Sequence, residues 1–160
     1  MKDSGHLPWT RSCFVCGQDN PHGLRLKARA ENGRVVIEHT ARDADRGWRH
    51  IVHGGITMTL LDEAMTWAAI LRARRACVAA EMTTRLRRPI EVGQRLRVEA
   101  EVVEARPKLL LTSAKVTDAS GQVLAAATGK YVPMPEGQIS LCDKDFVSAP
   151  HTLKPEELFL

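Results

Sequence analysis

Residues 53–69 constrain the fold of this chain more than any other stretch. His53-Gly54-Gly55 opens a run from Ile56 to Ala69 that is apolar except for its threonines and the adjacent acids Asp62 and Glu63. The spacing predicts a helix over 55–75, about 30 Å long at the usual rise. It is apolar nearly all round, so it belongs at the centre of a core. A carboxylate inside such a helix costs several kcal/mol unless something compensates it. The helix start also points free backbone N–H groups outward, where they attract an anion. A helix start one or two turns from an interior acid is a catalytic pair in outline.

The flanking sequence reads mostly as strand. Leu24, Leu26, Ala28 and Ala30 alternate with Arg25, Lys27 and Arg29, which predicts a half-buried strand. Glu31-Asn32-Gly33-Arg34 supplies a hairpin turn, and Val35–Thr40 the returning strand. Residues 41–53 read as a polar loop. After the helix, strands are expected over 78–88, 96–102, 109–117 and 122–132, separated by Pro89, Gly93 and Gly121. Two strands, one long helix and four strands make an α+β arrangement, an antiparallel sheet curled round one helix. The expected divisions are an irregular N-terminal arm over 1–23, one domain over 24–133, and a C-terminal tail over 134–160.

Composition narrows the function classes. The net charge of +4 comes mainly from arginine, which suits phosphate groups. Aromatics are only 4%, poor for stacking nucleic-acid bases. An RNA-binding module is therefore a weak alternative, to be recognised by steeply salt-dependent binding. The 56–71 stretch is interrupted by Asp62 and Glu63, so no transmembrane span is expected. The N-terminus lacks an apolar signal core, and Cys13, Cys16, Cys77 and Cys142 do not form a disulfide framework. A cytoplasmic location is the expectation. Cys13 and Cys16 have the spacing of half a zinc site. His6, His22, Cys142 or His151 would have to complete it at no standard spacing, so no metal is expected and the pair reads as a turn.

The chain resembles the hotdog-fold acyl-CoA thioesterases, in particular their phenylacetyl-CoA-type branch. The matching residues are His53-Gly54-Gly55 with Asp62 nine positions after the histidine, then Glu63-Ala64. Cys13-Phe14-Val15-Cys16-Gly17 with Asn20-Pro21 and Gly23-Leu24 resembles an N-terminal signature of a bacterial subgroup. Arg88-Pro89 with Gly93 resembles a later sheet segment. The resemblance covers roughly 13–133. It implies a sheet wrapped round the helix, a homodimer or dimer of dimers, and a site at the dimer interface for an acyl-CoA substrate, with no separate cofactor.

The resemblance also implies roles. The Gly55 backbone N–H would bind the carbonyl oxygen as charge develops on it, the bare glycine leaving room for the substrate, and Gly54 would be a substrate-binding position. Asp62 would activate water or attack the thioester. Glu63 is the rival acid, and because it lies about 100° away round the helix the two cannot face one site. His53 would bind the carbonyl or orient the loop. An asparagine common before His-Gly-Gly is missing from Gly47-Trp48-Arg49-His50-Ile51-Val52, which leaves His50 as a substitute. Thr66, one turn beyond Asp62, would line the site. Arg85, Arg87 and Arg88, with Lys108, are candidates for CoA phosphates. Trp48, Met58, Met65 and Trp67 would shape an acyl pocket, or else pack as core. A non-catalytic acyl-CoA sensor on the same fold remains an alternative, as does, more remotely, a hotdog dehydratase or hydratase.

Overall fold

The structure, a computed structural model, describes residues 4–135, 145–147 and 149–159. Cys142 and part of the tail lie outside them. Strands β1 (Gly5–His6) and β2 (Trp9–Thr10) begin the arm, followed by the hairpin β3 (Ala28–Glu31) and β4 (Arg34–Thr40). A 3-10 turn at Asp43–Asp45 leads into the small hairpin β5 (Arg46–Trp48) and β6 (Ile51–Val52), then helix α1 (Gly54–Ala73). Four long strands follow: β7 (Cys77–Leu86), β8 (Arg95–Arg106), β9 (Leu109–Asp118) and β10 (Val123–Pro133). The tail adds β11 (Phe146–Val147) and a short helix α2 (Pro155–Leu158). The main sheet has the order β1-β3-β4-β8-β9-β10-β7 and is antiparallel throughout.

Helix α1 lies across one face of this sheet. Leu60, Leu61, Ala64, Met65 and Ala69 are wholly buried against Val35, Ile37, Val98, Val116 and Tyr131, which project from alternate positions on the strands. The opposite side of the helix is covered by the two ends of the chain. Trp67 meets Phe146 edge-on at 6.2 Å between ring centroids, and Phe146 leans on Phe159. Strand β11 pairs with β2, tying tail to arm.

Among the boundaries that differ from the sequence reading, two have a visible backbone cause. Alternation predicts a strand from Leu24, but β3 begins at Ala28. Arg25 sits in the left-handed region at φ 53°, which breaks the extended run. The N–H groups of Leu24 and Leu26 instead donate to Phe14 and Val15 of the arm. The alternation still marks the buried side correctly, since Leu24, Leu26, Ala28 and Ala30 are all core. Helix α1 stops at Ala73 because Arg74 turns left-handed at φ 57°, its N–H donating to the Ile70 carbonyl. This position usually carries glycine, so the sequence gives no sign of the stop.

Residues 41–53, expected as a plain loop, contain a buried ionic cluster. Asp45 is 1% exposed and accepts from Arg42 Nη2 at 2.6 Å, from the Arg42 backbone N–H at 2.9 Å and from the His39 ring at 2.9 Å. Burial pushes its carboxyl up, but the donors from Arg42 and His39 more than offset this and hold it below the usual range. The Asp45 carbonyl also accepts the N–H of His53 at 2.8 Å. The cluster thus anchors the residue that starts α1.

Candidate active site at the start and middle of helix α1

His53 is the N-cap of α1. Its backbone is extended, and its Nδ1 accepts the N–H of Gly55 at 2.9 Å. An imidazole nitrogen therefore occupies the position in which the sequence reading puts a substrate oxygen. Two glycines make the approach close. A Cβ on Gly55 would lie 2.9 Å from His53 Nδ1, and one on Gly47 would lie 2.9 Å from His53 Cα. A Cβ on Gly54 would meet Leu86 Cδ1 at 3.0 Å, so the end of β7 rests on the helix start.

Asp62 is partly buried, and its Oδ1 accepts a 2.6 Å hydrogen bond from the Tyr131 hydroxyl of β10. Tyr131 is fully buried, the only tyrosine in the chain. Burial and then the Asp62 carboxylate push its phenol well above the ordinary value, so it stays protonated and serves as a donor. Thr66 hydrogen-bonds to the phenol oxygen. Gly129 makes the arrangement possible, because a Cβ there would lie 2.6 Å from Tyr131 Cε2. A register shift between β10 and β7 falls between Lys130 and Tyr131. Bulges of this kind re-aim side chains beside sites. Sequence reasoning missed Tyr131; its place as the sole tyrosine, on the inward side of a strand, was the available signal.

Glu63 points elsewhere. It forms no ion pair among the described residues and accepts from the Trp67 indole N–H at 3.0 Å. Its carboxyl is pushed up to about 7, by burial first and then by negative charge on Cys13. The 100° between Asp62 and Glu63 thus sends one acid toward the sheet and the other toward the N-terminal arm.

Gly55, Met58 and Asp62 lie along one side of α1. Gly55 and Asp62 are seven residues apart, about 10 Å along the axis. Met58 between them is 38% exposed, so this side is uncovered in the single chain. Beside it, β7 is an edge strand with exposed Val78 and Leu86. Arg85, Arg87 and Arg88 are exposed near the helix start, flanking the Leu86 contact with Gly54, without ion pairs among the described residues. Lys108 does not join them: it lies in the β8–β9 turn, where Pro107 and the last residue of β8, Arg106, line a hollow with Arg72 and Arg75 at the far end of α1. His50 is exposed, and its carbonyl accepts the N–H of Val92. Met65 and Trp67 are core residues, while Trp48 is 82% exposed.

A cavity of about 1310 Å³ opens at the C-terminal end of α1, between Ala68, Leu71, Val102, Leu153 and Leu158. None of His53, Gly55 or Asp62 lines it. Among the described residues no group of three His, Cys, Asp or Glu side chains is placed to hold a metal ion. No helix among them is long and apolar enough to cross a membrane.

The family model described as "Thioesterase superfamily" matches residues 50–125, from the loop before α1 into β10. That stretch belongs to the thioesterase superfamily. The architecture around it is the hotdog fold, as solved structures bear out. A thioesterase superfamily protein is 24% identical with a TM-score of 0.67 over 76% of this chain, which spans 60% of that protein's length. The Escherichia coli PaaI protein from the phenylacetic acid degradation operon is 21% identical, TM-score 0.65, with 70% of this chain and 81% of that one covered. A Streptococcus mutans protein solved bound to acetyl-CoA is 20% identical, TM-score 0.61, with 65% and 83% covered. At these identities the likeness establishes the fold. No curated protein matches the sequence. The superfamily match thus takes in the helix start, Asp62 and three of the four long strands in full.

Proposed function

We propose that this hotdog protein hydrolyses an acyl-CoA thioester to the free acid and CoA, with Asp62 of one chain and the Gly55 N–H of a second copy acting on one carbonyl. The observation that carries this reading is the placement of both groups on one uncovered side of α1, about 10 Å apart. That separation is too long for both to touch one carbonyl within a single chain. A second copy running antiparallel beside α1 would bring each Gly55 opposite the other chain's Asp62. The free edge of β7, next to β10 and therefore next to Asp62 and Tyr131, supports the same pairing.

In this mechanism the carbonyl oxygen takes over the Gly55 N–H that His53 Nδ1 accepts in the free protein. One oxyanion donor is worth about 3 kcal/mol of barrier lowering. The Asp62 carboxylate takes a proton from the attacking water, or attacks the carbonyl carbon itself, and CoA leaves as its thiolate. Tyr131 holds Asp62 in place, and Thr66 in turn bonds the Tyr131 hydroxyl. Arg85, Arg87 and Arg88 take the CoA phosphates near the helix start. The likeness to a structure holding acetyl-CoA is consistent with an acyl-CoA ligand.

Subunit complementation tests this. Asp62→Ala lacks the carboxylate and Gly55→Pro lacks the N–H. Each alone is expected to lose roughly a hundredfold or more in hydrolysis across a panel of acyl-CoA esters. Mixed and reassociated, they should recover about a quarter of wild-type activity, since half of random C2 dimers are mixed and each holds one intact site. No recovery from stably mixed dimers would overturn the two-chain site. Binding of acyl-CoA without turnover by the unaltered protein would favour a sensor.

A further inference from the structure

A second cluster of reactive groups lies on the other side of α1, where hydrolysis makes no use of it. Cys13 and Cys16 stand on one turn of the N-terminal arm, closed by the Gly17 N–H donating to the Cys13 carbonyl at 2.9 Å. Only glycine fits at 17, because a Cβ would lie 2.2 Å from that same oxygen. Such a turn brings positions i and i+3 within the roughly 4.4–6.8 Å that Cα atoms span in a disulfide. Both cysteines are free thiols.

The two sulfurs are inequivalent. Cys13 is partly exposed, and its Sγ receives the Val15 N–H at 3.3 Å and the Cys16 thiol. These donors hold it well below the ordinary thiol value, which favours a thiolate. Cys16 is buried, with the Thr10 hydroxyl at 3.6 Å and the Glu63 carboxyl within hydrogen-bond reach. Its bond to Cys13 and its burial raise it, so it keeps its proton. A half-exposed thiol whose neighbours favour the thiolate, a buried thiol one turn on, and a half-buried carboxyl make up a complete exchange unit.

We propose that Cys13-Phe14-Val15-Cys16 is a thiol–disulfide exchange site whose co-substrate is a low-molecular-weight disulfide, with Cys13 attacking, Cys16 resolving and Glu63 receiving the Cys16 proton. The Cys13 thiolate attacks one sulfur of RSSR, forming a mixed disulfide and releasing RS⁻. Cys16 passes its proton to the Glu63 carboxylate and attacks Cys13 Sγ, which closes the Cys13–Cys16 disulfide and expels the second RS⁻. The protons lost by the two cysteines end on two RSH molecules. Two protein thiols are oxidised and one disulfide is reduced; excess thiol reverses the reaction.

The test exposes the full-length chain, carrying Cys142→Ser, to mixtures of glutathione and glutathione disulfide, and maps the products by peptide mass spectrometry. The expected product is a peptide pair joined between residues 13 and 16, lacking two hydrogens and restored by dithiothreitol. Cys16→Ala should stop at a glutathione adduct on Cys13. Glu63→Gln should slow closure roughly tenfold while leaving adduct formation within a few-fold, as removal of a proton acceptor demands. In the same unaltered fold, Cys13 should be alkylated far faster than Cys77, whose thiol burial pushes up to about 11. Thiols that stay reduced at every glutathione ratio, a wild-type adduct on Cys13 that never closes, or Cys77 reacting first would each overturn the proposal.

Discussion

The Tyr131 hydroxyl donates to Asp62 Oδ1 across 2.6 Å, joining residues 69 positions apart in the chain. The contact fixes the one acid on α1 that faces the uncovered side of the helix. It also puts that acid against β10, the neighbour of the free edge. Asp62 is thereby held rigid where a second chain would approach. Several measurable consequences extend from this contact and from the groups around it.

Tyr131→Phe keeps the ring and removes the donor. We expect hydrolysis to fall about tenfold, and stability to fall by about 1.5–3 kcal/mol for a lost hydrogen bond to a charged group. Steady-state kinetics alongside urea unfolding measure both. Unchanged turnover in a folded Tyr131→Phe protein would deny Tyr131 any positioning role.

Gly129→Ala attacks the same contact sterically. The added Cβ would sit 2.6 Å from the Tyr131 ring in a buried setting, so the ring must move. We expect a destabilisation of about 1–3 kcal/mol, typical of overpacking, with an activity loss in the direction of Tyr131→Phe. Thermal unfolding together with a hydrolysis assay checks this, and combining the two variants should cost less than the sum of their separate effects.

Glu63 makes stability fall with rising pH. Its folded value of about 7 stands above the ordinary 4.5, so the folded protein binds more protons between these limits. The cost grows as pH rises through this window and is complete above it. Glu63→Gln should therefore gain on the order of 3 kcal/mol relative to wild type above pH 7, and little below pH 4.5. Denaturant unfolding across this range would contradict the assignment if the difference between the two proteins stayed constant.

Asp45 acts in the opposite sense. Its folded value is depressed, so its contribution is present above its unfolded value, about 3.9, and is lost as pH falls through the depressed one. Asp45→Ala should cost about 2 kcal/mol at neutral pH, allowing for solvent at the partly exposed Arg42 side chain. It should also loosen the His53 N-cap. Amide exchange at Gly55 and Ile56 is expected to quicken, and unaltered exchange there would separate the cluster from the helix start.

The sequence by itself determined the elements and their buried sides. Alternation in Leu96–Val102 and the apolar stretch after Gly55 are local patterns whose period is set by strand or helix geometry, so α1 and the four long strands were legible without coordinates. The tertiary structure decided what each acid meets. Tyr131 reaches Asp62 only because β10 lies beside the edge of the sheet, and Glu63 meets the cysteine turn only because the arm folds back over the far side of α1. Contacts between distant parts of the chain leave no periodic trace, and neither does a left-handed arginine at position 25 or 74. Periodicity reports which way a side chain faces; packing alone chooses its neighbour.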